Sequence, residues 1–149
     1  MGFRQSAMEE LVMQQNGEFW SGKRVLVTGH SGFKGSWLVL WLKRLGAEVT
    51  GISLSPNTTP NLFNLANIQE LCGSHFCDIR SAKDLTSLVR NAQPDVIFHL
   101  AAQPLVRQSY QEPVKTFDTN VMGTANILDA VRSLRCLRAI VMVTTDKVY

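Results

Sequence analysis

Three glycines at a strand-to-helix junction limit what this chain can fold into more than any other feature. Gly29, Gly32 and Gly35 recur at every third position of Thr28-Gly29-His30-Ser31-Gly32-Phe33-Lys34-Gly35-Ser36-Trp37. The strand-like run Lys23–Val27 precedes them, and a helix-like run from Trp37 to Leu45 follows. In such a turn one glycine permits a tight bend, one lets backbone approach a pyrophosphate, and one lets helix and strand pack closely. The helix start offers unpaired N–H groups and the positive end of its dipole to phosphate oxygens. Both flanks fit, so the segment reads as a dinucleotide-binding turn rather than a structural one. Gly29, His30, Gly32, Phe33, Lys34 and Gly35 are assigned to it.

The remainder of the chain repeats the alternation. Strand-like runs cover residues 23–28, 47–53, 74–77, 95–100 and 138–144. Helices are expected over 32–45, stopped by Gly46, then from a Ser81 cap to Asn91 with Asp84 in the first turn, and from near Val114 to Leu134. Residues 55–61, bracketed by Pro56 and Pro60, read as a loop. The pattern predicts an α/β fold: a Rossmann-type doubly wound parallel sheet with strand order 3-2-1-4-5, breaking off after the fifth strand. Residues 1–20, polar and only loosely periodic, are expected to be an extension, and residues 21–149 the nucleotide-binding domain.

At 149 residues and 45% hydrophobic content the chain is one domain's worth and can bury a real core. Its net charge of +3 is spread out, with no basic run suited to nucleic acid, so no nucleic-acid partner is expected. Three cysteines without a C-x-x-C pair suggest neither a disulfide framework nor zinc. His75 with Cys72 and Cys77 reads as strand side chains, and no metal is expected. Apolar stretches are too short to cross a membrane and no secretory signal is visible, so a cytoplasmic protein is expected. Met1-Gly2 with Ser6 matches a myristoylation pattern of a kind that recurs by chance.

Polar residues collect where the strands end: the glycine turn, Asp78-Ile79-Arg80, Ala101-Ala102-Gln103, and Thr145-Asp146-Lys147-Val148-Tyr149. In a doubly wound sheet these ends converge on one crevice. Asp78 can be a first-turn charge for the following helix or a group recognising adenine. Ala101 and Ala102 fit close packing, and fit better a backbone that must approach a cofactor.

Taken together, Thr28-Gly29-x-x-Gly32-Phe33-x-Gly35, Asp78-Ile79-Arg80, His99-Leu100-Ala101-Ala102-Gln103, Thr119-Asn120-x-x-Gly123-Thr124 and Thr145-Asp146-Lys147-x-Tyr149 resemble the extended short-chain dehydrogenase/reductase superfamily. Gly29 to Leu38, Ala101-Ala102-Gln103-Pro104-Leu105-Val106-Arg107 and Thr119 to Thr124 are most similar to its CDP-glucose 4,6-dehydratase group. The resemblance covers roughly Phe19 to Tyr149. It implies NAD as cofactor and CDP-glucose as substrate, in a redox-neutral dehydration. The sugar is oxidised at C4, water leaves across C5 and C6, and the hydride returns to C6, giving CDP-4-keto-6-deoxyglucose for deoxysugars of bacterial surface polysaccharide (lipopolysaccharide). It also implies a homo-oligomeric parent enzyme. To cofactor binding it assigns Asp78, Ile79, Leu100, Ala101, Ala102, Gln103 and Thr119 besides the glycine turn.

By the same resemblance, Thr145 hydrogen-bonds the C4 oxygen and Asp146 protonates the departing C6 hydroxyl. Lys147 stands where related dTDP-glucose enzymes carry a glutamate base, and can act as one only with a lowered pKa. Two departures stand out. The end of strand two, Ser53-Leu54-Ser55, lacks the acid that usually holds the adenosine ribose, and no arginine stands ready for a 2′-phosphate, which leaves NAD against NADP open. With His30 in a loop position often filled by a small residue, a weaker hold on the cofactor is expected. The second departure is the Y-x-x-x-K pair, which is not in this sequence; Tyr149 belongs to the T-D-K-x-Y string. The chain alone is therefore expected to be inactive. The alternatives are another extended reductase, such as a nucleotide-sugar 4-epimerase, or a non-catalytic dinucleotide-binding fragment.

Overall fold

The computed structural model describes residues 18–144. Five parallel strands form one sheet in the order β3-β2-β1-β4-β5, as the alternation predicted. They are β1 (Arg24–Thr28), β2 (Glu48–Ser53), β3 (Gly73–Phe76), β4 (Val96–His99) and β5 (Ala139–Met142). Central β1 pairs with β2 on one side and β4 on the other, so Thr28 lies between Ile52 and His99. Its run of Val25, Leu26 and Val27 is fully buried because helices cover both faces.

Alternating side chains split the core in two. On one face Val25, Val27, Val49 and Phe63 pack with Val39 and Leu42 of α1 (Phe33–Arg44). On the other, Leu26, Ile52 and Ile97 meet Leu85 and Val89 of α4 (Ala82–Ala92) and Ile127 and Ala130 of α7 (Gly123–Val131). Gly46, with φ +85°, ends α1 in the left-handed region as expected, its N–H 3.0 Å from the Lys43 carbonyl.

The structure departs from the sequence reading in four places. Residues past the Pro56–Pro60 loop form two single-turn helices, α2 (Leu62–Leu65) and α3 (Ile68–Leu71), which bury Phe63 and Ile68. Segments this short carry no periodicity to detect. A further helix, α5 (Val106–Gln111), ends at Glu112, where Pro113 opens α6 (Pro113–Phe117). Ser81 does precede α4, yet its hydroxyl donates to the Asp84 carboxylate (2.7 Å) instead of capping a backbone N–H. The long helix expected from Val114 to Leu134 runs through α6 and α7 with a π-helical turn, Asp118–Met122, between them. Among the described residues no helix is long and apolar enough to cross a membrane.

Candidate functional site at the carboxyl ends of the strands

The glycine turn gives each of its glycines a separate physical task. Gly29 has φ +77°, and a Cβ there would lie 2.9 Å from the Ala101 nitrogen at the end of β4. A Cβ on Gly35 would overlap the Gly29 carbonyl oxygen and lie 2.7 Å from the His30 Cα, so helix and turn pack backbone to backbone. Gly32 differs: its φ is an ordinary −76°, and an added Cβ would meet only the Gly29 oxygen, at 3.3 Å. That one backbone contact is tight, and nothing else beyond its chain neighbours lies within 4 Å. Gly32 also caps α1, with no side-chain capping bond and no acid in the first turn, so the helix opens at the exposed residues Phe33 and Lys34 on an electropositive rim, with Gly35 buried behind them.

His30 is placed differently from the other turn residues. Its ring is fully buried over Gly51 of β2, where a Cβ would overlap it. Nε2 sits 2.6 Å from the Ser74 hydroxyl, and Phe63 and Phe76 flank the ring at 5.4 and 6.4 Å. The backbone of His30 belongs to the turn, its carbonyl accepting from Ser36 at 3.0 Å, while the side chain belongs to the core. Burial pushes the imidazole down to about 4, partly offset by the Ile52 carbonyl. At the end of β2, where an acid was missing, the Ser53 hydroxyl is buried without a hydrogen-bond partner among the described residues.

The end of β4 is held by a buried polar chain. The Thr28 hydroxyl accepts the Leu100 and Ala101 N–H groups (3.2 and 3.1 Å), which commits its single proton to His99 Nδ1 at 2.6 Å. His99 is therefore protonated on Nε2, which donates to the Thr124 hydroxyl at 3.1 Å. Burial lowers the pKa of His99 and favours this neutral form. Beyond it, Asn120 on the π-helical turn accepts from the Gln103 N–H (2.7 Å) and donates to the Gln103 carbonyl (3.1 Å), pairing with it as a neighbouring strand would. Ala102 stays exposed, and Leu100, Ala101 and Thr119 are half-buried.

After β3, the Asp78 carboxylate is gripped by Arg80: it accepts from the backbone N–H (2.9 Å), Nε (3.0 Å) and Nη2 (2.6 Å). Hydrogen bonding to Arg80 holds the carboxyl below the usual range. Arg80 reaches on to Asp118 at 3.3 Å. Ile79 is buried against Gly123. Of the residues assigned from sequence, the turn follows β1, Leu100–Gln103 follow the adjacent β4, and Asp78–Ile79 follow β3, which β2 separates from β1. Thr145, Asp146 and Lys147 fall outside the described residues. His99, Asn120, Thr124 and Asn126 were not assigned; their signal was polarity on otherwise buried strand and helix faces. A concavity of about 920 Å³ between Arg80, Val114, Phe117 and Met122 adjoins the Arg80 end of this crevice.

Comparison with known proteins gives this geometry a lineage. The chain is 49% identical over 88% of its length to CDP-glucose 4,6-dehydratase of Salmonella typhimurium, covering 36% of that protein. It is 36% identical over 85% of its length to CDP-paratose 2-epimerase of Salmonella typhi, covering 38% of it. The chain thus spans little more than a third of the length of these curated relatives. Among solved structures, UDP-glucose 4-epimerase of Stenotrophomonas maltophila, with bound NAD and formylated UDP-arabinopyranose, superposes with a TM-score of 0.70 at 25% identity, over 83% of this chain and 37% of that one. The family model for GDP-mannose 4,6 dehydratase matches residues 26–149, and the chain belongs to that family.

Proposed function

We propose that this chain is the cofactor-binding part of an NAD-dependent nucleotide-sugar 4,6-dehydratase that converts CDP-glucose to CDP-4-keto-6-deoxyglucose. The observation that carries the cofactor reading is Gly32. The only protein atom that an added Cβ would crowd there is the Gly29 oxygen at 3.3 Å, so a pyrophosphate seated on the α1 amides accounts for the glycine better than packing does. Gly29, Gly35 and the His30 backbone shape that seat, and Phe33 and Lys34 lead α1 away from it. Asp78 and the Ile79 backbone take the adenine end, with Asp78 accepting the exocyclic amino group. Leu100, Ala101, Ala102, Gln103 and Thr119 line the nicotinamide side. The CDP-glucose reading rests on the 49% identity to the Salmonella typhimurium enzyme.

When bound, NAD supplies reversible oxidation of the sugar. Thr145 would hold the C4 oxygen, Asp146 would protonate the C6 hydroxyl as it leaves, and Lys147 would serve as a base beside them. An acid after β5 favours dehydration over 4-epimerisation. The working enzyme is proposed to be a cytoplasmic homo-oligomer, with neither membrane nor nucleic acid as a partner.

Calorimetry on the folded 149-residue chain tests the cofactor reading, with NAD expected to bind; no heat at millimolar NAD removes it. The chain alone should not turn over CDP-glucose, because general acid–base groups worth on the order of 10²–10⁴-fold each are missing, the Y-x-x-x-K pair first among them. Appearance of the 4-keto product from the purified chain would show that Tyr149 has been misassigned.

A further inference from the structure

The loop after β3 is fastened by a residue that lies on neither β3 nor the loop itself. Asn126, half-buried on α7, donates through Nδ2 to the carbonyls of Ile79 (3.0 Å) and Arg80 (3.3 Å). A trans peptide is planar, with its C=O and N–H pointing in opposite directions. The peptide between Ile79 and Arg80 is thus held at both ends: Asn126 grips the Ile79 carbonyl, and the Arg80 N–H, pointing away, grips the Asp78 carboxylate at 2.9 Å. Ile79 cannot slide along the helix, because its side chain fills the gap at Gly123, where a Cβ would lie 2.5 Å from Cδ1. The Arg80 guanidinium completes the hold on Asp78 and is braced by Asp118 at the start of the π-helical turn. What results is a carboxylate with fixed direction and 29% of its side chain exposed, able to accept one more donor.

We infer that Asn126 is a positioning residue for base recognition: by fixing the Ile79–Arg80 peptide it aims the Asp78 carboxylate at a purine bearing an exocyclic amino group. The inference rests on the dinucleotide reading proposed above. Its distinguishing feature is chemical. A carboxylate held in this way favours adenine over hypoxanthine, which carries a carbonyl in place of the amine, and it has no bearing on the nicotinamide half.

The test is calorimetric titration of the 149-residue chain with NAD, nicotinamide hypoxanthine dinucleotide and nicotinamide mononucleotide, for wild type and Asn126→Leu. Wild type should prefer NAD to the hypoxanthine analogue. In Asn126→Leu the affinity for NAD should fall by about fivefold or more, the scale of one misaligned hydrogen bond to a charged group, while the other two ligands change by less than about twofold. If Asn126→Leu does not fold, Asn126→Ser, which shortens the side chain without adding apolar bulk, carries the same expectation. Equal weakening of all three ligands would make Asn126 a merely structural residue and overturn the inference. A wild type that binds NAD and its hypoxanthine analogue equally would overturn it by removing the role of Asp78. A wild type that binds neither dinucleotide would instead bring down the cofactor reading itself, and the inference with it.

Discussion

Replacing Gly32 and Gly35 one at a time by alanine should separate binding from folding. At Gly32 the backbone is extended and easily adopted by alanine, and the new methyl meets a single oxygen at 3.3 Å. Alanine is a poorer helix cap than glycine by about 0.5–1 kcal/mol. Its stiffer unfolded chain returns about 0.4–1 kcal/mol. The net change in stability should therefore stay within about 1 kcal/mol. At Gly35 the methyl is driven into the Gly29 carbonyl and the His30 Cα, both backbone, with no flexible side chain to yield. Overpacking of that kind costs about 1–3 kcal/mol, and more where backbone must shift, against about 1 kcal/mol gained in helix propensity. For a domain of this size each kcal/mol moves Tm by about 3–4 °C. Thermal unfolding should thus show Gly32→Ala within about 4 °C of wild type and Gly35→Ala clearly below it. Titration with NAD should give the opposite order of specificity. On the proposed cofactor reading the methyl of Gly32→Ala stands where phosphate would approach, and losing one charge-assisted hydrogen bond should weaken binding by about tenfold or more with the fold intact. Wild-type NAD affinity in folded Gly32→Ala would refute the reasoning, as would equal Tm losses in the two variants.

Other expectations follow from the buried polar groups and from the residues after β5. Thr28→Val, which keeps shape but removes the hydroxyl, leaves the Ala101 N–H and His99 Nδ1 unpaired; urea unfolding should show a loss of about 2–4 kcal/mol, with Thr28→Ser close to wild type. His30 gives stability a pH dependence. Its folded pKa, about 4, lies below the unfolded 6.5, so the unfolded chain takes up the proton first, and stability falls as pH drops from 6.5 toward 4, by up to about 3 kcal/mol. Urea midpoints across that window should fall less steeply in His30→Gln than in wild type; equal slopes would remove the assignment. In an enzyme extended to the length of its relatives, Asp146→Asn should still oxidise C4 but stall at water loss, seen as accumulating NADH absorbance in a single turnover. A variant with wild-type turnover and no accumulation would show that Asp146 is not the acid.

The strands were legible because each is a continuous apolar run between breakers, as in Val25-Leu26-Val27 and Val96-Ile97-Phe98, and because alternation with helices leaves few ways to order them. The glycine turn was legible as far as the bend at Gly29 and the close packing at Gly35. His30 was not. A polar residue in a phosphate-binding loop invites a ligand reading, and only the absence of a side chain on Gly51, two elements away in sequence, makes room for the ring in the core. The contacts of Asn120, Thr124 and Asn126 were hidden for a related reason. Helical periodicity indicates which face is buried, but the π-helical turn at Asp118–Met122 shifts the register between the two halves of the helix. The short helices at Phe63 and Ile68 lie below the length at which any pattern can repeat.

The way one helix fastens two loops bears on how such a site could be moved between proteins. Asn120 clasps Gln103 and Thr124 ties His99 on one side, while Asp118, Gly123 and Asn126 hold Arg80 and Ile79 on the other. A recombination point or a design graft that carries only the glycine turn and the first two strands would carry the proposed phosphate seat without the parts that shape its flanks. The smallest portable unit is discontinuous in sequence: the turn, the loops after β3 and β4, and the helix from Pro113 to Val131 with its π-helical turn kept in register. Insertion or deletion of one residue between Asp118 and Met122 would rotate that clasp away from both loops at once, so chimaeras in this fold should tolerate crossovers inside the Pro56–Pro60 loop far better than inside the helix.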